Sequence, residues 1–412
     1  MRTLNHQLDN GLLHGSYDPT FAGVAQAFID NFEQHNEVGA SVCITVDGNP
    51  VVDLWGGHAD KEQSQPWQED TISVVFSSTK GAVALAAHTL IDAGELELDK
   101  PVAHYWPEFA TAGKEHATVR MMLNHSAAVP CLRQKLPDLA CCDWQQMVEK
   151  IAAEEAFWEP GTRHGYHMIN FGWTVGELIR RVSGESLGAY FKRAIATPSG
   201  ADFWIGLPET EDHRVASMIP YRPPKDAPRG KFTQALLGEP NGISQLALFN
   251  QGGFNPAKAE CRRAEIGGAG GIGNGRSLAQ IYAPFAVGGS LNNHNFVSTD
   301  TLAAMAEVSA ASLEDATLRI PTRFGLGFMK SMDNRALTPG NQDSAILSAQ
   351  AFGHVGAGGS IGFADPAARM SFGYTMNRMG PGILMNERGQ GLVDAVYRSL
   401  GYTSNAGGVW HK

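Results

Sequence analysis

Long apolar runs are missing from this sequence. Hydrophobic residues make up 43% of its 412 residues, yet no stretch approaches the roughly 20 consecutive apolar residues that a membrane-spanning helix needs. The segment from Met1 to Gln7 also lacks the continuous apolar core of a secretory signal peptide. We therefore expect a cytoplasmic protein with no membrane partner.

Positive charge is also scarce. The chain has 32 Lys and Arg residues against 42 Asp and Glu, a formal net charge of -10. Nucleic acids and anionic membranes are normally bound by a basic surface, so the composition argues against both kinds of partner. The length suggests two or three domain-sized units.

Cysteine is rare and irregularly spaced. An odd number of cysteines with no regular spacing does not predict a disulfide framework. The adjacent pair at 141 and 142 is poor geometry for zinc and for an ordinary disulfide, and no cysteine lies in the electropositive turn typical of a reactive thiol. We expect free thiols, no metal or other cofactor, and no thiol nucleophile at the five positions Cys43, Cys131, Cys141, Cys142 and Cys261.

The periodicity of apolar residues changes along the chain. Residues 100 to 240 are mainly helical and loop-like, whereas both flanking parts contain strands. The N-terminal part predicts a helix over 21–32, a β-hairpin over 39–57 and a helix over 77–93. The C-terminal part predicts helices over 277–285 and 389–400 and strands at 323–330, 350–355, 360–364 and 370–376.

Strands at both ends around a helical middle indicate an α/β fold. The simplest architecture is one sheet built from both chain ends and covered by helices, with an inserted helical domain. We place the discontinuous α/β domain at residues 1–100 and 245–412 and the inserted domain at 101–244. A ligand site is expected in the cleft between them.

The sharpest chemical signal is the segment Ser-Ser-Thr-Lys at residues 77–80. Residues three apart share one face of a helix, so Ser77 Oγ and Lys80 Nζ are expected to lie within reach. A helix N-terminus favours a developing oxyanion and disfavours a protonated lysine. A lysine whose pKa is lowered can accept the serine proton. The alternative is that Ser77 is only a helix N-cap.

Two later segments supply further polar groups. Tyr166 follows a Pro-Gly turn, and as a phenolate or in a relay with lysine it could move a proton; the alternative is an aromatic that only packs. The Gly-rich segment at 353–362 reads as strand, turn and strand. There the N–H of Ala357 could donate to an oxyanion, unless the glycines serve the hairpin backbone alone.

Together these segments resemble the penicillin-recognising serine hydrolases, which share Ser-x-x-Lys, then Tyr, then a His/Lys-x-Gly strand in this order. Within that superfamily the chain is similar to the family VIII carboxylesterases, which resemble class C β-lactamases. The resemblance covers nearly the whole chain and includes the segments 53–57, 122–126, 172–178 and 373–377. It implies a β-lactamase/transpeptidase-like fold with an antiparallel sheet.

The resemblance also implies roles for the site residues. Ser77 would attack a carbonyl carbon and become acylated. Lys80 and Tyr166 would share the role of base, and Tyr166 would later help to activate the deacylating water. The main-chain N–H groups of Ser77 and Ala357 would form the oxyanion hole.

Two positions depart from the β-lactamase pattern. Met168 stands where Tyr-x-Asn has its asparagine, and His354 stands where Lys-Thr-Gly has its lysine, on the strand where His354 and Gly356 would line the substrate. Both changes remove polar groups that hold a β-lactam. They favour a small-molecule substrate that is a neutral short-chain acyl ester. The alternatives on the same scaffold are a β-lactamase, a D-amino-acid peptidase, an acyltransferase and an inactive binding module.

Other candidate nucleophiles fail on their context. Two Gly-x-Ser-x-Gly strings centre on Ser186 and Ser360, but neither follows a strand and opens a helix, as a nucleophile elbow requires. We expect Ser186 to cap a helix and Ser360 to lie in a hairpin turn.

Histidine chemistry is not favoured either. His164 and His167, with Glu159 nearby, lack a third ligand at motif spacing, which argues against a metal hydrolase. His125 and Ser126 are adjacent and do not face each other on a helix.

Overall fold

Strands from both ends of the chain form one antiparallel sheet in the computed structural model, which describes all residues from Met1 to Lys412. Seven of the fourteen strands belong to this sheet, and the others form small sheets of two or three strands. In chain order the fourteen strands are β1 (Arg2–Gln7), β2 (Leu12–Tyr17), β3 (Gly39–Val46), β4 (Asn49–Gly57), β5 (Ser73–Val74), β6 (Trp204–Ile205), β7 (Gly271–Gly273), β8 (Ser290–Leu291), β9 (His294–Asn295), β10 (Ala310–Ser312), β11 (Thr322–Phe324), β12 (Phe352–Val355), β13 (Ile361–Asp365) and β14 (Met370–Met376).

Helices cover the sheet and fill the middle of the chain. They are α1 (Ala22–Glu33), α2 (Ser78–Asp92), α3 (Val119–Leu123), α4 (Trp144–Ala153), α5 (Phe171–Ser183), α6 (Leu187–Phe191), α7 (Thr197–Ser199), α8 (Lys231–Gly238), α9 (Ile243–Phe249), α10 (Ala259–Arg263), α11 (Gly275–Ala286), α12 (Thr299–Ala306) and α13 (Glu387–Ser399). None of them combines the length and the apolar character that crossing a bilayer requires.

The seven-stranded sheet has the order β1-β2-β4-β3-β14-β13-β12. The predicted hairpin is β3 and β4, and β3 pairs directly with β14 from the far end of the chain. The predicted antiparallel sheet built from both chain ends is therefore confirmed. The domain boundaries at 100 and 244 stay a prediction.

The two faces of the sheet differ in residue size. Val42 and Ile44 of β3 point into a core that α1 and α13 cover. On the other face Gly373 lets α11 approach closely, since a Cβ there would lie 2.1 Å from the carbonyl of Gly275. Alternating side-chain direction along a strand separates these two sets.

A second core surrounds α2, which contacts α5 and α6. Its sequence Gly-Ala-Val-Ala-Leu-Ala-Ala at 81–87 is buried on every side, as expected of a helix that is apolar all round. Tyr166 belongs to the sheet core and α2 to the helical core, while Met168 packs against both. The segment from Tyr166 to Met168 thus lies at the seam between the two cores.

The structure differs from the sequence-based expectation at two places: one predicted strand is shorter, and one hairpin was not predicted. The strand predicted at 323–330 ends at Phe324, because Gly325 and Gly327 turn the chain; Gly327 has φ +89° and packs against α2. The β1–β2 hairpin at the N-terminus was not predicted. Its short polar strands at the sheet edge carry little apolar alternation.

Candidate active site

Ser77 lies in a sharp turn directly before α2. The preceding Phe76 has φ +46°, an uncommon conformation for a bulky residue that is typical of functional turns. Thr79 fastens this turn, since its hydroxyl donates to the carbonyl of Phe76 at 2.5 Å and accepts from the N–H of Gly271 at 2.8 Å. The Ser77 side chain makes no capping hydrogen bond. Ser77 thus occupies the N-cap position of α2, but capping does not account for its hydroxyl.

Lys80 is completely buried one turn into α2. Its Nζ lies 3.0 Å from Ser77 Oγ, and it donates to the carbonyls of Met168 at 2.6 Å and Gly268 at 2.7 Å. Burial holds the pKa of Lys80 well below its ordinary value of 10.5. A neutral amine has two N–H bonds and one lone pair. If both N–H bonds of that neutral form are directed to the two carbonyls, its lone pair faces the Ser77 hydroxyl.

Tyr166 is also buried, and its ring lies beside Lys80, with 4.7 Å between Nζ and the ring centroid. Burial raises the pKa of the Tyr166 phenol above its ordinary value, and the hydrogen bond to Ser77 only partly opposes this rise. The resting side chain is thus a neutral phenol. The raised pKa disfavours the phenolate in the free protein, and the role of Tyr166 in a proton relay stays a prediction.

Asp315 fixes the main chain at Tyr166, and the sequence did not point to it. Its two carboxylate oxygens accept the N–H of Tyr166 at 3.1 and 3.0 Å. Phe324 stacks on the phenol ring with 5.8 Å between centroids and an interplanar angle of 7°. Asp315 also accepts the N–H groups of Thr317 and Leu318. An aspartate that bonds the main chain two or three residues later is common in turns, so the sequence around Asp315 predicts at most a turn and no functional role.

His354 on β12 lies beside Tyr166, with 3.5 Å between Nε2 and the phenol oxygen. Its Nδ1 is 2.7 Å from the carbonyl of Val355. Since a carbonyl can only accept, Nδ1 carries the proton and the Nε2 lone pair faces Tyr166. Burial holds the pKa of His354 well below 6.5, so the ring is neutral.

The turn after β12 brings Ala357 to the segment around Ser77. A Cβ on Gly356 would lie 2.2 Å from both the carbonyl of Val75 and the hydroxyl of Ser360, so only glycine permits this approach. The main-chain N–H groups of Ser77 and Ala357 find no acceptor within the protein, and both residues are partly exposed. An oxyanion hole requires two such unpaired donors beside the attacking hydroxyl, and the predicted role of these N–H groups stays a prediction.

The two other serines have structural contacts. Ser186 caps α6, accepting the N–H of Ala189 at 3.3 Å and donating to Glu265 at 2.7 Å. Ser360 is buried and donates to the carbonyl of Val75 at 2.8 Å. The first is the predicted cap, and the second fastens the hairpin turn to the chain before α2.

The histidines near Tyr166 also have structural partners. His164 Nε2 is 2.8 Å from the hydroxyl of Thr322, and His167 Nδ1 is 2.9 Å from the carbonyl of Gly165. Neither belongs to a group of three potential ligand side chains. Ser126 donates to Asn124 at 2.7 Å rather than to its neighbour His125.

Comparison with known proteins agrees with this geometry. A family model described as Beta-lactamase matches residues 24–395. The esterase/beta-lactamase LipL of Mycobacterium tuberculosis (strain ATCC 25618 / H37Rv) is 34% identical over 381 residues, which cover 88% of this chain and 82% of LipL. The structure of a family VIII carboxylesterase is 36% identical with a TM-score of 0.83, covering 94% of this chain and 99% of that one. A penicillin-binding protein homolog from Caulobacter crescentus is 33% identical with a TM-score of 0.84, with the same coverage of both chains.

Proposed function

Because this chain belongs to the beta-lactamase family, we propose that it is a serine carboxylesterase that hydrolyses short-chain acyl esters through an acyl-enzyme intermediate. The observation that carries the proposal is the 3.0 Å contact between Ser77 Oγ and a buried Lys80 amine whose two other partners are carbonyls. The similarity to an esterase and to a carboxylesterase structure supports the choice of substrate class.

Acylation follows from the direction of the lone pair on Lys80. The amine takes the hydroxyl proton of Ser77 while Oγ bonds to the ester carbonyl carbon. The N–H groups of Ser77 and Ala357 stabilise the negative charge that develops on the carbonyl oxygen. The C–O bond to the alcohol then breaks, and the alcohol leaves with a proton returned through Lys80 or Tyr166.

Deacylation uses the other side of the same network. A water molecule attacks the acyl carbon and loses a proton to the neutral Lys80 amine, either directly or through Tyr166, which accepts the water proton while its own hydroxyl proton passes to Lys80. His354 Nε2 lies 3.5 Å from the phenol oxygen. The bond between the acyl carbon and Ser77 Oγ breaks, Oγ regains a proton, and the free acid departs.

The preference for neutral esters rests on charge. His354 is neutral and Lys80 is buried with a lowered pKa, so the strand beside the site offers no cation to the carboxylate of a β-lactam. Slow β-lactam hydrolysis is the second candidate function, because LipL carries both activities in its name.

A substrate panel on matched variants tests the proposal. Nitrophenyl esters of increasing acyl length, nitrocefin and a D-Ala-D-Ala peptide are assayed with wild type, Ser77→Ala and Ser186→Ala. We expect short-chain esters to be the best substrates and Ser77→Ala to lose about 10³-fold or more of kcat, with Ser186→Ala unchanged. Ester hydrolysis that survives in Ser77→Ala, or nitrocefin turnover without ester turnover, contradicts the proposal.

A cytoplasmic location is also proposed. All five cysteines are free, which is usual where thiols are kept reduced. Fractionation of the native host with an antibody to the protein tests the location, and recovery outside the cytoplasm would refute it.

A further inference from the structure

Three of the five thiols meet at one point, although they come from two distant parts of the chain. Cys141 and Cys142 lie in the turn before α4, and Cys261 lies in α10. The sulfur of Cys142 is 4.0 Å from that of Cys141 and 3.7 Å from that of Cys261. All three sulfurs lie within 4.8 Å of one another.

These separations suit a metal ion. A point equidistant from three sulfurs so spaced lies within about 2.5 Å of each, against a zinc–thiolate bond of about 2.3 Å. Thiolates select zinc and monovalent copper among common biological metals. An adjacent pair alone is poor geometry for such an ion, and the third sulfur from α10 completes the set.

The surroundings allow an ion to reach the sulfurs. Cys142 is partly exposed and, with Cys141, lines a cavity of about 400 Å³ bordered by Trp144 and Arg180. Cys261 is fully buried, and its sulfur accepts the main-chain N–H of Asn255 at 3.5 Å. That donor stabilises a sulfur anion. None of the three cysteines is a hydrogen-bond partner of Lys80 or Tyr166, so the proposed ester hydrolysis does not account for them.

We propose that Cys141, Cys142 and Cys261 form a three-thiolate binding site for a thiophilic metal ion, Zn²⁺ or Cu⁺. Cu⁺ would be three-coordinate, whereas Zn²⁺ would take a water molecule from the cavity as its fourth ligand. Binding replaces the thiol protons by the metal, so up to three protons are released for each ion bound.

Metal titration of the full chain tests the site. The reduced, chelator-treated protein is titrated anaerobically with Zn²⁺ and, separately, with Cu⁺ against a chromogenic chelator, and the protons released are measured. Co²⁺ serves as a spectroscopic substitute for Zn²⁺, since thiolate ligation produces an ultraviolet charge-transfer band. We expect one equivalent bound in at least one arm, with proton release and a Co²⁺ band if Zn²⁺ is the ion.

Matched cysteine variants identify the ligands. Cys261→Ala and Cys131→Ala each remove one fully buried thiol, but only the first removes a proposed ligand. We expect Cys261→Ala and Cys142→Ala to weaken binding at least about 100-fold, with Cys131→Ala unchanged. Circular dichroism checks folding, and the partly exposed Cys142 decides the question if Cys261→Ala does not fold.

The proposal is overturned if wild type binds neither ion, or if Cys142→Ala binds the ion as tightly as wild type and Cys131→Ala do. Loss of ester hydrolysis in Ser77→Ala with metal binding intact would show that the two proposals stand or fall separately.

Discussion

Lys80 shows how burial of one side chain favours its neutral form. In water its amine would hold a proton at neutral pH, and a protonated lysine cannot accept one from serine. Here burial opposes the charge, and the carbonyls of Met168 and Gly268 occupy both N–H bonds of the neutral form. The Met168 position thus contributes its main-chain oxygen, although its side chain differs from the asparagine of the β-lactamase pattern.

The pH dependence of stability tests this protonation state in Lys80→Met. Between the lowered pKa of folded Lys80 and about 10.5, the unfolded chain binds one proton that the folded protein does not. The native lysine therefore destabilises the fold increasingly as pH falls below 10.5, down to its folded pKa. We expect the melting temperature of Lys80→Met relative to wild type to be higher at pH 7 than at pH 10, and ester hydrolysis to fall about 10²–10⁴-fold.

Lys330 is the matched control. It is buried outside the site, and burial lowers its pKa to about 8. Lys330→Met is expected to show the same trend in relative melting temperature between pH 8 and 10.5, with little further change below, and to keep its ester hydrolysis. A difference between Lys80→Met and wild type that does not vary with pH would mean that folded Lys80 is protonated.

The loop between β10 and β11 acts as an element that positions Tyr166. Asp315 in this loop accepts three main-chain N–H groups and is completely buried. Burial raises the pKa of Asp315 despite the nearby His164. The loop and the segment before α5 are therefore fastened together by one carboxylate.

We expect Asp315→Ala to lower the free energy of unfolding by about 2–4 kcal/mol, because several buried N–H groups lose their acceptor. Its kcat should also fall as Tyr166 shifts. Urea denaturation followed by tryptophan fluorescence and ester kinetics measure the two effects. Asp99→Ala, which removes an exposed partner of Arg120, is the control and should change both far less. Equal effects of the two variants would refute the positioning role.

The turn between β12 and β13 positions the Ala357 N–H through Gly356. A methyl group at Gly356 would overlap the Val75 carbonyl, so the turn must move away from Ser77. We expect Gly356→Ala to lose about 10²–10³-fold of kcat with a smaller change in KM, the size of effect seen when one oxyanion donor is removed.

Gly23→Ala is the control for that substitution. Gly23 lies in α1 with open space around its Cβ position, so alanine should stabilise the helix slightly and leave kcat unchanged. Full ester hydrolysis in Gly356→Ala would exclude a role of this turn in holding the oxyanion.

The whole molecule depends on contacts between the two ends of the chain. Glu37, just before β3, forms a buried ion pair with Arg388 of α13 at 2.5 Å and accepts from the Tyr374 hydroxyl of β14. A second pair, Asp47 with Arg369, also joins the two ends but is exposed. The two ion pairs thus join the same parts of the chain, but the Glu37–Arg388 pair is buried and the Asp47–Arg369 pair is exposed.

We expect Glu37→Gln to destabilise the protein by about 3–5 kcal/mol, because it leaves the Arg388 charge buried without its partner. Asp47→Asn should have a much smaller effect, since water screens an exposed pair. Denaturation midpoints of the two variants provide the comparison. Destabilisation of similar size in both variants would show that burial does not determine the contribution of these pairs.

Much of the fold could be predicted because its signals are local. The hairpin β3–β4, helices α2 and α11, and strands β13 and β14 follow from apolar periodicity within ten or fifteen residues. The β1–β2 hairpin was not predicted because its residues alternate little between apolar and polar, and its place in the sheet depends on the pairing of β2 with β4. The early end of β11 depends on packing of Gly327 against α2, which no local pattern indicates.

The sequence by itself determined the spacing of Ser77 and Lys80, the order of the later motifs and the family they resemble. Only the tertiary structure decided the directions in which the pKa values of Lys80 and Tyr166 shift, because these depend on burial among distant segments. It also brought Asp315 to Tyr166 and Cys261 to the adjacent cysteine pair. These two contacts join residues more than a hundred positions apart. Apolar periodicity describes only neighbouring residues, so it could not predict them.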